Sequence, residues 1–329
     1  MVKNSQSRVA IWVSVFLVIL LAAGGAGYYL VSSFFGARES LDEAEVLTDV
    51  FPEESTRPAP SLTGSTTVLL LGSDSRGGIG QSLDSAGGDR SDVMMVIRIS
   101  GDRTHVTGMS IMRDSWVEIP GRGENKVNAA LAFGGVKLAV QTVENLLETR
   151  IDHVAVIDFD GFQAATDALG GVTVTNERAF SSSVLPGTTF PRGEVTLSGE
   201  EALAFVRERM AFASGDFQRV KNQQVFLSGL AKKMFDTNLV TDAQRVSSLF
   251  KAISPYFARD EALTADLMIG IGGSLRGVTS DDLRFFTMPS LGTGTRGGQS
   301  VVVVDFDELE IVKGLLLEDR LNEYEGARG

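Results

Sequence analysis

Short runs of wholly apolar residues, each emptying into a loop rich in glycine and aspartate, set the limits on what this chain can fold into. Thr67–Leu71 (TVLLL) stops at Gly72-Ser73-Asp74-Ser75-Arg76-Gly77-Gly78. A strand that is apolar on both faces has to be covered on both faces, which excludes an open, one-sided sheet. Val93–Ile99 and His105–Met112 read as the next two strands, joined at Ser100-Gly101-Asp102, and Val154–Phe159 as another. Between and after them lie helical patterns. Val136, Val140, Val143 and Leu147 share one face of a helix opened by Gly134-Gly135. A helix over Gln163–Leu169 is stopped by Gly170-Gly171, with strand resuming at Val172–Val174. Ser198-Gly199-Glu200-Glu201 is a capping-box sequence, and Val220–Phe235 reads as the longest soluble helix. Helices near Thr241–Phe257, Leu263–Ile269 and Glu308–Leu321 and strands at Leu283–Met288 and Val301–Asp305 complete the pattern. The expected fold class is α/β: a mixed central sheet with helices on both faces, forming one domain over residues 65–329.

The amino terminus predicts a different environment. No charged residue stands between Arg8 and Arg38, and Ala10–Val31 would make a helix about 33 Å long, enough to cross a hydrocarbon core of about 30 Å. Lys3 and Arg8 precede this stretch, while Glu39, Asp42, Glu43 and Glu45 follow it. Positive charge before the span predicts a cytoplasmic start (1–9), a single transmembrane anchor (10–35) and an extracytoplasmic body. A cleaved signal peptide is the competing reading, with Ile11–Leu21 as its apolar region and Ala22–Gly27 as the cleavage zone. Tyr28, Tyr29, Leu30, Val31, Phe34 and Phe35 continue the apolar run and favour the anchor. Residues 36–64, acidic and rich in Pro, Ser and Thr, are expected to be a linker, with a short helix near Leu41–Leu47.

Composition closes off several functions. A formal charge of −12 argues against general nucleic-acid binding, which needs phosphates neutralised by Lys and Arg. Cysteine is absent, so thiolate chemistry and disulfides are excluded, and two histidines, His105 and His153, leave no multi-imidazole metal site. Both histidines read as strand residues, and Asp158 and Asp160 as capping groups of the helix that follows. Gly292-Thr293-Gly294-Thr295-Arg296-Gly297 has dinucleotide-like spacing but precedes a strand instead of a helix, so it is expected to be a flexible loop. Neither a phosphate-loop motif nor a G-x-S-x-G elbow occurs.

What remains is a repeated conjunction of Asp and Arg at element ends. Asp74 and Arg76 follow the first strand, Asp89-Arg90-Ser91-Asp92 precedes the second, and Arg113-Asp114 closes the third, with Lys126-Val127-Asn128 in a loop beyond. Arg207-Glu208-Arg209 comes later, where both arginines reach one side only if the chain turns extended. Asp216, Arg219 and Gln223, spaced i, i+3, i+7, share a helix face. Ligands of α/β sheets collect beyond strand carboxyl ends. Several arginines facing a few carboxylates there suggest a pyrophosphate with a divalent cation: guanidinium forks take phosphate oxygens, and hard carboxylate oxygens share Mg²⁺ with them.

These residues lie in a series of linked motifs: VLLLGSDSR, DRSDVMMVIRIS, MRDSWVEIPG, GENKVNAALAFGG, VENLLE, IDHVAVIDFDGF, DALGGV, LSGEEALAFVRERM and GDFQRVKNQQVFL. The series resembles the LytR-CpsA-Psr (LCP) family, best over residues 66–235. The resemblance implies a membrane-anchored enzyme with an external α/β domain. Such enzymes transfer a glycopolymer from a polyprenyl-pyrophosphate carrier to a peptidoglycan sugar hydroxyl during cell-wall assembly. It further implies that Asp74 and Asp92 are the aspartates associated with Mg²⁺ (or Mn²⁺). Arg76, Arg90, Arg113, Arg207, Arg209 and Arg219 would surround the pyrophosphate, with Lys126, Asp216 and Gln223 on the same surface. Asp74, Asp92, Arg113 and Asp216 are the expected catalytic set, with the proton acceptor open among the three carboxylates. The chain departs from the family pattern at Val93, where Thr is common, at Met112, where Pro is usual, and at Asn222, where Arg often stands. Leu83–Gly88 looks like a loop insertion. An apolar path for the polyprenyl tail is expected among Val140, Val143, Leu146, Phe159, Phe162, Phe205 and Phe226, against the plainer reading that these are core. The rival function is a polyprenyl-pyrophosphate-binding protein of the envelope that is non-catalytic or hydrolytic.

Overall fold

The computed structural model describes residues 35–73, 93–208, 210–212, 222, 225–226, 229–230, 232–233, 243–275 and 277–326. In chain order the named elements are α1 (Phe35–Asp42), β1 (Glu45–Leu47), β2 (Thr66–Ser73), β3 (Val93–Ile99), β4 (Val106–Ile111), β5 (Ser115–Ile119), β6 (Gly123–Lys126) and α2 (Ala129–Leu147). Next are β7 (His153–Asp158), α3 (Phe159–Ala168), β8 (Val172–Asn176), β9 (Phe180–Ser181), β10 (Thr189–Phe190), β11 (Gly193–Leu197) and α4 (Gly199–Arg207). The chain ends with α5 (Ala243–Ile253), β12 (Phe257–Asp260), α6 (Ala265–Ser274), β13 (Leu283–Thr287), β14 (Ser290–Arg296), β15 (Gln299–Val304) and α7 (Phe306–Leu317).

Seven strands form the central sheet in the order β1-β12-β7-β2-β3-β4-β13. It is mixed: β2–β7, β4–β13 and β1–β12 run parallel, the other neighbours antiparallel. The doubly apolar strands are covered on both faces, as their composition requires. Val68, Leu70, Met95, Ile97, Ala155 and Ile157 face α1 and α3–α6. Leu69, Leu71, Met94, Val96, Val154 and Val156 face α2 and α7. Each of the Val, Leu, Ile and Met side chains among these contributes about 1.5–3 kcal/mol by leaving water. A smaller sheet, β14-β15-β5-β6, flanks the second layer.

Several expectations need correction. Residues 36–64 are folded into the domain. Leu41, Ala44, Leu47 and Val50 are buried, and β1 extends the main sheet beside β12. Arg57 is buried too, its Nε and Nη2 donating to Glu144 Oε1 at 3.0 and 2.8 Å, with the guanidinium 4.5 Å from the Phe51 ring. The acidic, proline-containing composition hid an apolar residue at every third position from Leu41 to Val50. Most of the glycine-rich 292–297 stretch is strand β14, hydrogen-bonded to β15, so Gly292 and Gly294 lie in a ladder, and only Gly297 falls in the turn between the two strands. Lys126 ends strand β6 instead of lying in a loop, and α3 starts at Phe159, earlier than expected. Helix α2 begins before Gly134-Gly135, which form a kink inside it; Gly135 has φ 63°, a conformation open to glycine and strained for other residues. The expected anchor over 10–35 lies outside the described residues except for Phe35, which opens α1, and among the described residues no helix is long and apolar enough to cross a membrane.

Candidate functional site

One edge of the main sheet gathers the carboxyl ends of β2, β4, β7 and β13 and the amino end of β3. The register makes this explicit: Gly72 pairs with Val93, Met94 with Ile111, Ser73 with Asp158 and Ser110 with Thr287. Four adjacent strands, β7, β2, β3 and β4, therefore present their ends along three strand spacings, roughly 14 Å. Asp74 and Asp92 themselves lie outside the described residues, as do Arg76, Arg90, Arg209, Asp216, Arg219 and Gln223. The described residues next to the first and second of these, Ser73 and Val93, stand on neighbouring strands at this edge.

Beyond β4 the chain turns tightly through Arg113-Asp114, the Ser115 N–H donating to Met112 O at 2.8 Å. The start of α2 and the small sheet fix that turn from outside: the Asn128 N–H donates to Arg113 O and the Val302 N–H to Asp114 O. Because β5 and β6 pair with Trp116 opposite Lys126, the Lys126 ammonium comes back to the turn. Its Nζ lies 2.9 Å from Asp114 Oδ1, and Arg113 Nε lies 3.7 Å from Asp114 Oδ2. One carboxylate thus draws together two of the expected phosphate-binding cations. Asp114 was legible in the sequence only as part of the Arg113-Asp114 conjunction and had been given no role of its own.

At the β7 end, the Asp158 carboxylate caps α3 through the Gly161 N–H at 2.7 Å, the capping role expected of it. Burial pushes its pKa up against that hydrogen bond. Phe159, one residue on, carries the Arg207 guanidinium 5.0 Å above its ring. Arg207 is the last residue of α4, whose capping box at Ser198 and Glu201 is formed as the sequence predicted. Glu208 then leaves the helix with φ −65° and ψ 127°, the extended turn that the paired arginines require. Its carboxylate is buried and accepts hydrogen bonds from the Ser182 and Ser183 hydroxyls and the Ser183 and Ala211 N–H groups. Burial opposes ionisation, but those donors together outweigh it and hold the pKa down at about 2. Glu208 too had been given no role.

Asn222, where the family often has Arg, is buried and donates to Phe205 O at 3.0 Å, tying off a carbonyl near the end of α4. The residues expected along a tail path divide between the two faces of the sheet. Val140 and Val143 are fully buried on the core-facing side of α2, whereas Phe162, Phe205 and Phe226 belong to the opposite layer. The core reading holds for Val140, Val143, Phe205 and Phe226, all fully buried. His153 is a buried strand residue beside Asp260 and far down β7 from this edge. Among the described residues no three carboxylates or histidines gather closely enough to hold a metal ion.

Comparison with known proteins places this geometry in company. The LytR_cpsA_psr family profile matches residues 34–316. A polyisoprenyl-teichoic acid–peptidoglycan teichoic acid transferase TagU of Bacillus cereus (strain AH820) is 35% identical over 230 residues, 69% of this chain and 72% of that one. The crystal structure of B. subtilis TagV superposes with a TM-score of 0.63 at 26% identity, covering 78% of this chain and 98% of that one. A structure of TagT bound to LI-WTA superposes with a TM-score of 0.60, also at 26% identity, over 84% and 98% of the two chains.

Proposed function

This chain belongs to the LytR_cpsA_psr family, and from that premise we propose that it transfers a glycopolymer from a polyprenyl-pyrophosphate carrier to a peptidoglycan sugar hydroxyl in cell-wall assembly. The observation that carries the reading is the match of almost the whole described domain to that family, with Arg113, Lys126 and Arg207 at one edge of the sheet.

In the reaction the acceptor hydroxyl oxygen bonds to the phosphorus that carries the glycopolymer. The bond from that phosphorus to the bridging oxygen breaks, and polyprenyl phosphate leaves. Arg113 and Lys126, held by Asp114, and Arg207, stacked on Phe159, supply positive charge to the pyrophosphate oxygens. Arg76, Arg90, Arg209, Arg219 and Gln223 extend the same cluster in this reading. Asp74 and Asp92 fit a hard cation by donor chemistry, being carboxylates adjoining the paired residues Ser73 and Val93. Mg²⁺ or Mn²⁺ held by them would neutralise phosphate charge. The hydroxyl proton passes to Asp74, Asp92 or Asp216. A single membrane span before α1, with the amino terminus cytoplasmic and the domain outside, puts the site where lipid-linked donor and wall acceptor meet.

The test is a transfer assay with the purified protein, a labelled polyprenyl-pyrophosphate saccharide and peptidoglycan, with and without Mg²⁺. Label is expected in the wall polymer, with less of it without the cation. Binding with no product would overturn transfer in favour of a receptor, and release of free phosphorylated saccharide would make the protein a hydrolase. Asp92→Asn should raise the Mg²⁺ requirement and lower the maximum. Asp74→Asn on top should add little, because residues sharing one ion are non-additive.

A further inference from the structure

We infer that Glu208 is the positioning residue for Arg207: its buried carboxylate holds the end of α4 in the backbone conformation that leaves the guanidinium over Phe159 at the sheet edge. The inference rests on the reading of Arg207 as a pyrophosphate ligand and adds a residue to which that reading gives no part.

Among the described residues the carboxylate of Glu208 meets only donors. Ser183 offers its N–H at 2.6 Å and its hydroxyl at 2.7 Å, Ser182 its hydroxyl at 3.0 Å, and Ala211 its N–H at 3.1 Å. The Val184 N–H stands further off at 3.4 Å. An ionised carboxylate is acceptor-only and can receive this whole set, whereas an amide in its place turns an N–H₂ toward other donors. Ser182–Val184 lie in the loop joining β9 to β10, whose Phe180 and Phe190 rings pack 5.6 and 5.3 Å from Phe205 of α4. Past Glu208, Phe212 closes on Phe180 at 4.7 Å. The chain is thus gripped by aromatic contacts before and after Glu208 and by the polar clamp at Glu208 itself. Because Glu208 is extended, the grip fixes the direction in which Arg207 leaves the helix. A guanidinium held over a ring by its charge keeps N–H groups for phosphate oxygens, and the contact is lost if the helix end rotates. The serine loop and the arginine are therefore mechanically one unit.

The test is a binding titration of a short-chain polyprenyl pyrophosphate to the full-length protein in detergent, with melting curves on the same samples. Arg207→Ala, Glu208→Gln and the double variant are compared well below their melting points. Glu208→Gln should weaken binding by about tenfold, as loss of one charge-assisted contact would. In the Arg207→Ala background the same change should weaken binding by less than about twofold, although its effect on melting persists. Ser183→Ala, which removes one donor and leaves the carboxylate, should act in the same direction and less strongly. An undiminished loss for Glu208→Gln without Arg207, or wild-type affinity in Glu208→Gln, would overturn the positioning role while leaving the phosphate role of Arg207 intact. Wild-type affinity in Arg207→Ala would instead sink the phosphate reading and the positioning role with it.

Discussion

At the scale of single residues, the candidate site is built from charges whose places are set by neighbours of the opposite sign or by donors. Arg207→Ala should weaken pyrophosphate binding by about 1.5–3 kcal/mol, the contribution of a hydrogen bond to a charged group. Arg192→Ala, at an exposed position outside the site, should bind as the wild type does, and equal losses at both would mean general unfolding. Glu208 makes a separate prediction about acid. Its folded pKa, near 2, lies below the ordinary glutamate value, so its ionised form adds stability above that value. That contribution disappears as the pH falls from the ordinary glutamate range toward about 2. Melting curves of the wild type should drop more steeply across this window than those of Glu208→Gln, and parallel curves would count against the clamp. Arg207 was legible from residue type and motif. Glu208 was not, because an acid between two arginines reads as surface charge until the serine loop, distant in sequence, is brought against it.

Whole elements were legible where one signal dominated. β3 runs over Val93–Ile99 as read, the capping box opens α4, and Gly170-Gly171 end α3, because apolar runs, caps and stops act within a few residues. The elements missed are those whose partners are remote. β5 (SWVEI) carries polar residues and is a strand because β15 and β6 flank it. The segment 36–64 resembles a linker in composition yet holds β1, Val50 and Arg57 against the body. Arg57 tests that attachment. Its side chain and that of Glu144 are almost wholly buried, and the Ile151 N–H also donates to Glu144. Arg57→Ala leaves a buried carboxylate without its cation, and a loss of about 3–5 kcal/mol is expected in chemical denaturation. A loss under about 1 kcal/mol would return the segment to the status of a surface tether.

At the scale of the whole molecule, the prediction concerns topology. A reporter fused after Arg38 should be active only on the outer side of the membrane, since Lys3 and Arg8 precede an uncharged stretch and acidic residues follow it. Activity in the cytoplasm would reverse the proposed orientation and separate the site from peptidoglycan. The sequence by itself determined the α/β class, the two-faced burial of the sheet and the chemical types available to a phosphate site. These follow from local apolar runs, caps and the kinds of side chain present, and need no knowledge of what lies across the fold. Only the tertiary structure decided which strand ends share an edge, that Asp114 joins Arg113 to Lys126, and that Val140 and Phe205 lie on opposite faces. Strand order and register depend on contacts between residues far apart in the chain. Their favourable energy appears only once the intervening chain has been closed into place, so no local pattern announces them.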